Sequence, residues 1–295
     1  MIRQPIVIGV DDSLESATAA SVGWALAQAT DVPCRLVHAN QVSAALEFAG
    51  TGVVTESLQL AALRGAREAV SATLRGVVPP RIIDGMIVST GAPEDVLGAV
   101  VREVNAAMLV LGGKHHSRLG RWLGGSTVQQ IVRRLTVPLL VTTGELPRHP
   151  RVMVAVDASY AAAPTARQAV ALAQMLGSPL HVLHVIDPPP AIAELPRDWS
   201  REFIERDIWP TIPLVDQGKV IREGAPLQTI VNEAAAWRAD VIVVGSHGKG
   251  WVDRLLIGSV TEHLLNNLPC AVLVVPVAKP EVAKPVARHS AAAVG

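Results

Sequence analysis

Two glycine-punctuated stretches carry the residue types best suited to chemistry. Gly245-Ser246-His247-Gly248-Lys249-Gly250-Trp251 follows the apolar run Val241-Ile242-Val243-Val244, and Gly258-Ser259-Val260-Thr261 opens the next helical pattern. The spacing reads Gly-x2-Gly-x9-Gly-Ser. Glycines let a backbone approach an anion and turn its N–H groups toward it. A helix N-terminus adds unpaired amides and the positive end of the helix dipole. Together they suit a phosphate. Ser259 either bonds a phosphate oxygen or serves as an N-cap. No Gly-Lys-Ser/Thr follows four spacer residues, so this is not a P-loop, and no dinucleotide-binding Gly-x-Gly-x-x-Gly follows the first strand.

Two carboxylates end strand-like runs. Asp11 closes Ile6-Val7-Ile8-Gly9-Val10, and Asp157 closes Val152-Met153-Val154-Ala155-Val156. At the carboxyl end of a first strand, an aspartate can accept hydrogen bonds from a nucleoside. It can equally be a turn or capping residue before the first helix. No nucleophile–base set is placed by any motif. His181 and His184 lie three apart on a strand and point to opposite faces, so they cannot share a metal. His115 and His116 are adjacent and equally poor as a chelating pair.

These residues need elements to position them, and the chain supplies them twice. Asp11 and Asp157 stand 146 residues apart, as do Leu36-Val37-His38 and Val182-Leu183-His184. Gly91-Ala92-Pro93 recurs as Gly224-Ala225-Pro226, Gly112 as Gly245, and Gly125-Ser126 as Gly258-Ser259, now 133 apart. Two constant offsets mark a tandem duplication with 13 extra residues between His38 and Gly91. Short Val/Ile/Leu runs predict strands at 6–10, 34–39, 82–88, 108–112 and 138–142. In the second copy they fall at 151–156, 180–186, 218–222, 240–244 and 271–275. Their continuous apolar character suits a parallel sheet buried on both faces. Helical patterns fall at 16–30, 57–75, 94–106 and 126–135, then at 162–176, 199–207, 226–238 and 259–267. Leu58, Ala62 and Val70 form the expected buried stripe of 57–75. Pro93 and Pro226 are expected at first helical turns. Strand–helix alternation predicts two tandem doubly wound α/β domains. The divisions are 1–144, a linker at 145–150, 151–277, and a loose tail at 278–295.

Composition narrows the class further. The chain has 295 residues, 49% hydrophobic and 18% charged, which excludes a disordered chain and fits two ordinary cores. Basic and acidic residues number 26 each, and 12 of each precede residue 147, so neither half is a basic lobe. With aromatics at 3%, duplex and single-strand nucleic-acid binding are both disfavoured. Cys34 and Cys270 fit no disulfide framework or zinc spacing and read as buried free thiols. The N-terminus lacks a signal-peptide pattern and no apolar stretch reaches a membrane span. A cytoplasmic protein without membrane or nucleic-acid partners is expected.

Over nearly its whole length, as two tandem copies, the chain resembles the universal stress proteins. The residues that carry this are the Gly-Val-Asp end of strand one and the Gly-x2-Gly-x9-Gly-Ser loop after strand four. The resemblance implies five-stranded parallel sheets ordered 3-2-1-4-5 with helices on both faces. It also implies pairing of domains, often through strand five, within one chain or in a homodimer. It implies ATP as ligand, with or without Mg2+. Asp157 then faces the adenosine, the backbone near Val185 meets the adenine edge, and Ala155 is a further nucleotide-binding candidate. Asp187 is placed to reach the nucleotide, and residues 245–251 and 258–261 hold the phosphates. The first copy keeps Gly9, Asp11, Gly112, Gly125 and Ser126, but His115 stands where Gly248 stands in the second. No catalytic residue and no metal ligand is assigned. A stress-response regulatory module with at most slow ATP turnover is the expected function, its signalling partner unspecified. The alternatives are an ATP-hydrolysing or nucleotidyl-transferring enzyme, with Asp253 and Glu262 the acids nearest the loops, and a partly degenerate interaction scaffold.

Overall fold

Strand-forming runs and amphipathic helices alternate through both halves of the chain. The computed structural model describes residues 4–41, 56–113, 127–134, 136–187, 198–211, 218–246 and 257–277. In the first repeat β1 (Ile6–Gly9) leads through α1 (Leu14–Thr30) to β2 (Cys34–Asn40). Helices α2 (Glu56–Leu74) and α3 (Pro80–Asp84) precede β3 (Ile87–Thr90). Then α4 (Pro93–Glu103) leads to β4 (Met108–Gly112), and α5 (Thr127–Arg134) to β5 (Leu139–Thr142). The second repeat runs β6 (Val152–Val156), α6 (Ala162–Leu176), β7 (Leu180–Ile186) and α7 (Asp198–Phe203). It continues with β8 (Lys219–Glu223), α8 (Pro226–Trp237), β9 (Val241–Gly245), α9 (Ser259–Asn266) and β10 (Ala271–Val275).

The strands form one sheet ordered β3-β2-β1-β4-β5-β10-β9-β6-β7-β8. Each half therefore has the 3-2-1-4-5 order. All neighbours within a half are parallel, and the halves meet where β10 runs antiparallel to β5, with Leu273 opposite Leu140. The repeats pair through their fifth strands within the one chain. Alternate strand residues feed two apolar layers. Ile6, Ile8, Val152 and Val154 pack with α1, α2 and α6, whereas Val7, Met153, Ile242 and Val272 pack with α4, α5, α8 and α9.

Local signals explain the element boundaries. Pro93 and Pro226 open α4 and α8 after Ala92 and Ala225 in extended conformation. The preceding Gly91 and Gly224 adopt φ of 143° and 141°, a region that only glycine enters without strain. Asp31 and Gly177, 146 residues apart, end α1 and α6 in the left-handed conformation.

Three expectations need correction. The strand expected at 82–88 begins at Ile87, because Pro79 and Pro80 start the helical turn α3 and Ile83 packs into the core from it. Leu58 is 57% exposed and Ala62 only half-buried; of the expected stripe Val70 alone is fully buried, with Leu74 one turn on. The helix expected at 199–207 does form, but it changes pitch. It passes through a π turn at Ile204–Ile208 and a 3-10 turn at Trp209–Thr211. This pitch change accompanies the burial of both Ile204 and Ile208.

Candidate functional site

The carboxyl ends of β6, β7 and β9 enclose a cavity of about 280 Å³. The corresponding ends in the first repeat enclose one of about 670 Å³. Ligand cavities typically span about 300–1,000 Å³, so both are of small-molecule scale. Each opens where the strand order reverses, the usual ligand position in such sheets.

The second cavity brings together most residues singled out from the second copy. Ala155, Asp157, Val185, Asp187 and Gly245 line it, with Gly258, Ser259, Val260 and Thr261 at the start of α9. Gly258 is itself the N-cap, and no side chain caps this helix. Ser259 is therefore the first helical residue, not the cap. The first turn of α9 thus lines the cavity with no side chain capping its amides, a favourable arrangement for an anion. The turn is locked from behind. The Thr261 hydroxyl donates to the Gly245 carbonyl at 2.8 Å, and Gly258 N donates to the Ser246 carbonyl at 3.0 Å. Ser246 is 3% exposed, and its Oγ accepts from Val277 N at 3.2 Å. It is not among the lining residues; it anchors the loop to the end of β10. His247, Gly248, Lys249, Gly250 and Trp251 lie outside the described residues.

Asp157 serves its own turn as well as the cavity. Its Oδ1 accepts from the Ser159 hydroxyl at 2.5 Å, and Ser159 Oγ accepts from Ala161 N at 3.1 Å. In the first repeat Asp11 Oδ1 accepts from Ser13 N at 3.0 Å and from the Ser13 hydroxyl, while Ser13 Oγ caps α1 through Ser16 N. These aspartates thus hold their own turns and also line the two cavities.

Gly9, Asp11 and Gly112 line the first cavity, whereas Gly125, Ser126 and His115 lie outside the described residues. Gly112 has a packing reason of its own: a Cβ there would collide with the backbone carbonyl of Glu15 in α1. Two lining residues come from the other repeat, Leu265 of α9 and Leu268 just beyond it. Gln129 Nε2 of α5 donates to Asn266 Oδ1 at 2.8 Å across the same junction.

His38 and His184, which the sequence offers only as repeat markers and, for His184, as a rejected metal ligand, line one cavity each. Nδ1 of each contacts the carbonyl before the aspartate, Val10 and Val156, at 2.8 Å. A carbonyl only accepts, so Nδ1 carries the proton in both. Their recurrence in the repeat was the available signal. His181 faces the other way, as expected: it pairs with Glu233 at 3.0 Å and stacks on Trp237. No group of three His, Cys, Asp or Glu suited to a metal occurs among the described residues. No helix among them is long and apolar enough to cross a membrane.

Fold and site together define a tandem-repeat, doubly wound α/β protein with one cavity per repeat at the strand-order switch. The Universal stress protein family profile matches residues 3–143 and 149–276, and the chain belongs to that family. It is similar to a universal stress protein of Mycobacterium tuberculosis strain H37Rv, 29% identical over 296 residues, spanning 91% of this chain and 96% of that protein. A relative from Mycolicibacterium smegmatis is 27% identical over 305 residues, covering 92% and 96%. Among solved structures, a universal stress protein from Archaeoglobus fulgidus superimposes with a TM-score of 0.65 at 18% identity, over 92% of this chain and 98% of that one. It shares the fold.

Proposed function

We propose that this chain is an adenine-nucleotide-binding regulatory module that takes ATP in its second-repeat cavity with little or no turnover. The carrying observation is one cavity whose rim combines Asp157, Val185, Asp187 and Gly245 with the uncapped first turn of α9. Asp157 accepts from the adenosine, and the backbone near Val185 meets the base. The α9 amides and the loop 245–251 receive the phosphates. Any Mg2+ then travels with those phosphates. The first cavity, with Asp11 and Gly112 in matching places, is a second candidate site. This reading divides the chain at 145–150, with the tail from 278 outside both units, and places the protein in the cytoplasm. Its readout is a partner or a conformational bias, not a product.

Acid extraction of the purified protein tests this directly. The expected result is co-purified adenine nucleotide, or a saturable ATP titration. Ser259→Glu should abolish the second-site component by setting a carboxylate among the phosphate-facing amides. A chain that neither retains nor titrates adenine nucleotide overturns the proposal, and multiple turnover within the common enzyme range of about 1–10³ s⁻¹ overturns the regulatory half.

A further inference from the structure

The second cavity holds a hydroxyl that the protein itself does not use. Thr165, in the first turn and a half of α6, lines the cavity and is 1% exposed. Its Oγ1 is buried with no hydrogen-bond partner. A threonine inside a helix normally returns its hydroxyl to a carbonyl three or four residues back. Thr18 and Thr30 of α1 do so, onto Leu14 at 3.3 Å and Leu26 at 2.8 Å. Thr165 does not.

The tandem repeat supplies the comparison. The first repeat carries Ala19 at the position of Thr165. Within α1 the hydroxyl lining its cavity is that of Ser16, which accepts from Asp11 N at 2.6 Å and is thereby committed to the turn. In the second repeat Ala162 takes the place of Ser16. The second repeat thus lacks the committed hydroxyl and carries an uncommitted one nearly a helical turn further on. Around it Val156, Ala161, Ala162, Ile230 and Val244 give the cavity apolar walls. A buried hydroxyl left unpaired disfavours folding, and an apolar residue of the same shape is neutral or better. Folding alone therefore does not account for threonine here.

We propose that Thr165 Oγ1 is a ligand-recognition group of the second cavity, hydrogen-bonding a polar atom of the bound nucleoside. It distinguishes this cavity from the first, where Ala19 offers nothing equivalent. The inference rests on the nucleotide reading above and adds the residue that sets specificity.

Site-resolved amide exchange on the full chain tests it, with ATP as the probe. Protection of residues 155–159 reads the second cavity, and protection of 9–13 reads the first. Thr165→Val keeps the shape and removes the hydroxyl. It should raise the ATP midpoint at 155–159 about tenfold, the scale of one lost hydrogen bond. The response at 9–13 should not change, and the Tm of the ligand-free protein should hold or rise. Thr165→Ser should stay within about twofold of wild type. Thr165→Ala, which copies the first repeat, gives the same comparison if the valine does not fold. An unchanged midpoint in Thr165→Val overturns the proposal, as does a serine variant as weak as the valine. Absence of ATP protection at 155–159 in the wild type overturns the nucleotide reading and this inference together.

Discussion

Thr261 Oγ1 donates to the Gly245 carbonyl at 2.8 Å, so the first turn of α9 is tied to the end of β9 from inside the fold. The bond holds one wall of the second cavity to another, and Thr261 is 3% exposed. Thr261→Val keeps the shape and leaves a part-buried carbonyl short of a donor. A loss of about 1–3 kcal/mol is expected in urea denaturation. ATP affinity in the second cavity should fall as well, because the α9 amides lose their fixed position. A variant with wild-type stability would show that the carbonyl finds another donor.

Gly112 reads as a motif glycine, yet the carbonyl of Glu15 occupies the place its Cβ would take. The colliding atom is backbone, so no side-chain rotation relieves it. Gly112→Ala should destabilise the protein by on the order of 3 kcal/mol, the upper part of the range for overpacking. The measurement is the urea midpoint at constant m-value. If stability is unchanged and only ligand binding suffers, this glycine serves the ligand and not the packing of α1 on β4.

Val272, Leu273 and Val274 of β10 pair with Val141, Leu140 and Leu139 of β5, and all five β10 residues are buried. A chain cut to residues 149–277 would expose that strand as a flat apolar edge without lysine or proline to protect it. It should recover the lost pairing from a second copy. Light scattering after size exclusion is expected to report a dimer; a stable monomer at micromolar concentration would count against the edge argument.

Burial pushes the Cys34 thiol up to about 11 and the Cys270 thiol up to about 12, from an ordinary value of 9.0. Native protein at pH 8 should therefore react slowly with a thiol reagent and fast once unfolded. The folded values lie above the unfolded one, so this contribution to stability is complete below pH 9 and is lost as pH rises toward 11 and 12. Cys34→Ala should flatten that alkaline decline in pH-dependent denaturation. Cys34 is buried as expected, whereas Cys270 is only half-buried; rapid labelling of Cys34 in the folded state would contradict its burial.

The repeat, the strand–helix alternation and the glycine loops were legible in the sequence because each is written in local residue types. A parallel strand buried on both faces needs a continuous apolar run, as in Val241–Gly245, and a close backbone turn needs glycine, as at Gly91 and Gly224. The strand expected at 82–88 was misplaced for a local reason too: the proline pair at 79–80 favours a helical start, and the apolar isoleucines outweighed it. Other features depended on what lies opposite. Nothing near Gly112 in the chain announces Glu15, and nothing near Leu268 announces the first cavity it lines. Whether a buried hydroxyl is spent, as in Ser16, or unspent, as in Thr165, is decided by the distance to a partner set by packing. Local residue patterns specify two α/β units and the residue types at their strand ends. Tertiary structure decided the register in which β5 and β10 join them into one sheet, and which of those residues share a cavity. Contacts between elements far apart in the chain leave no periodic trace in it, because they depend on three-dimensional register rather than on neighbours.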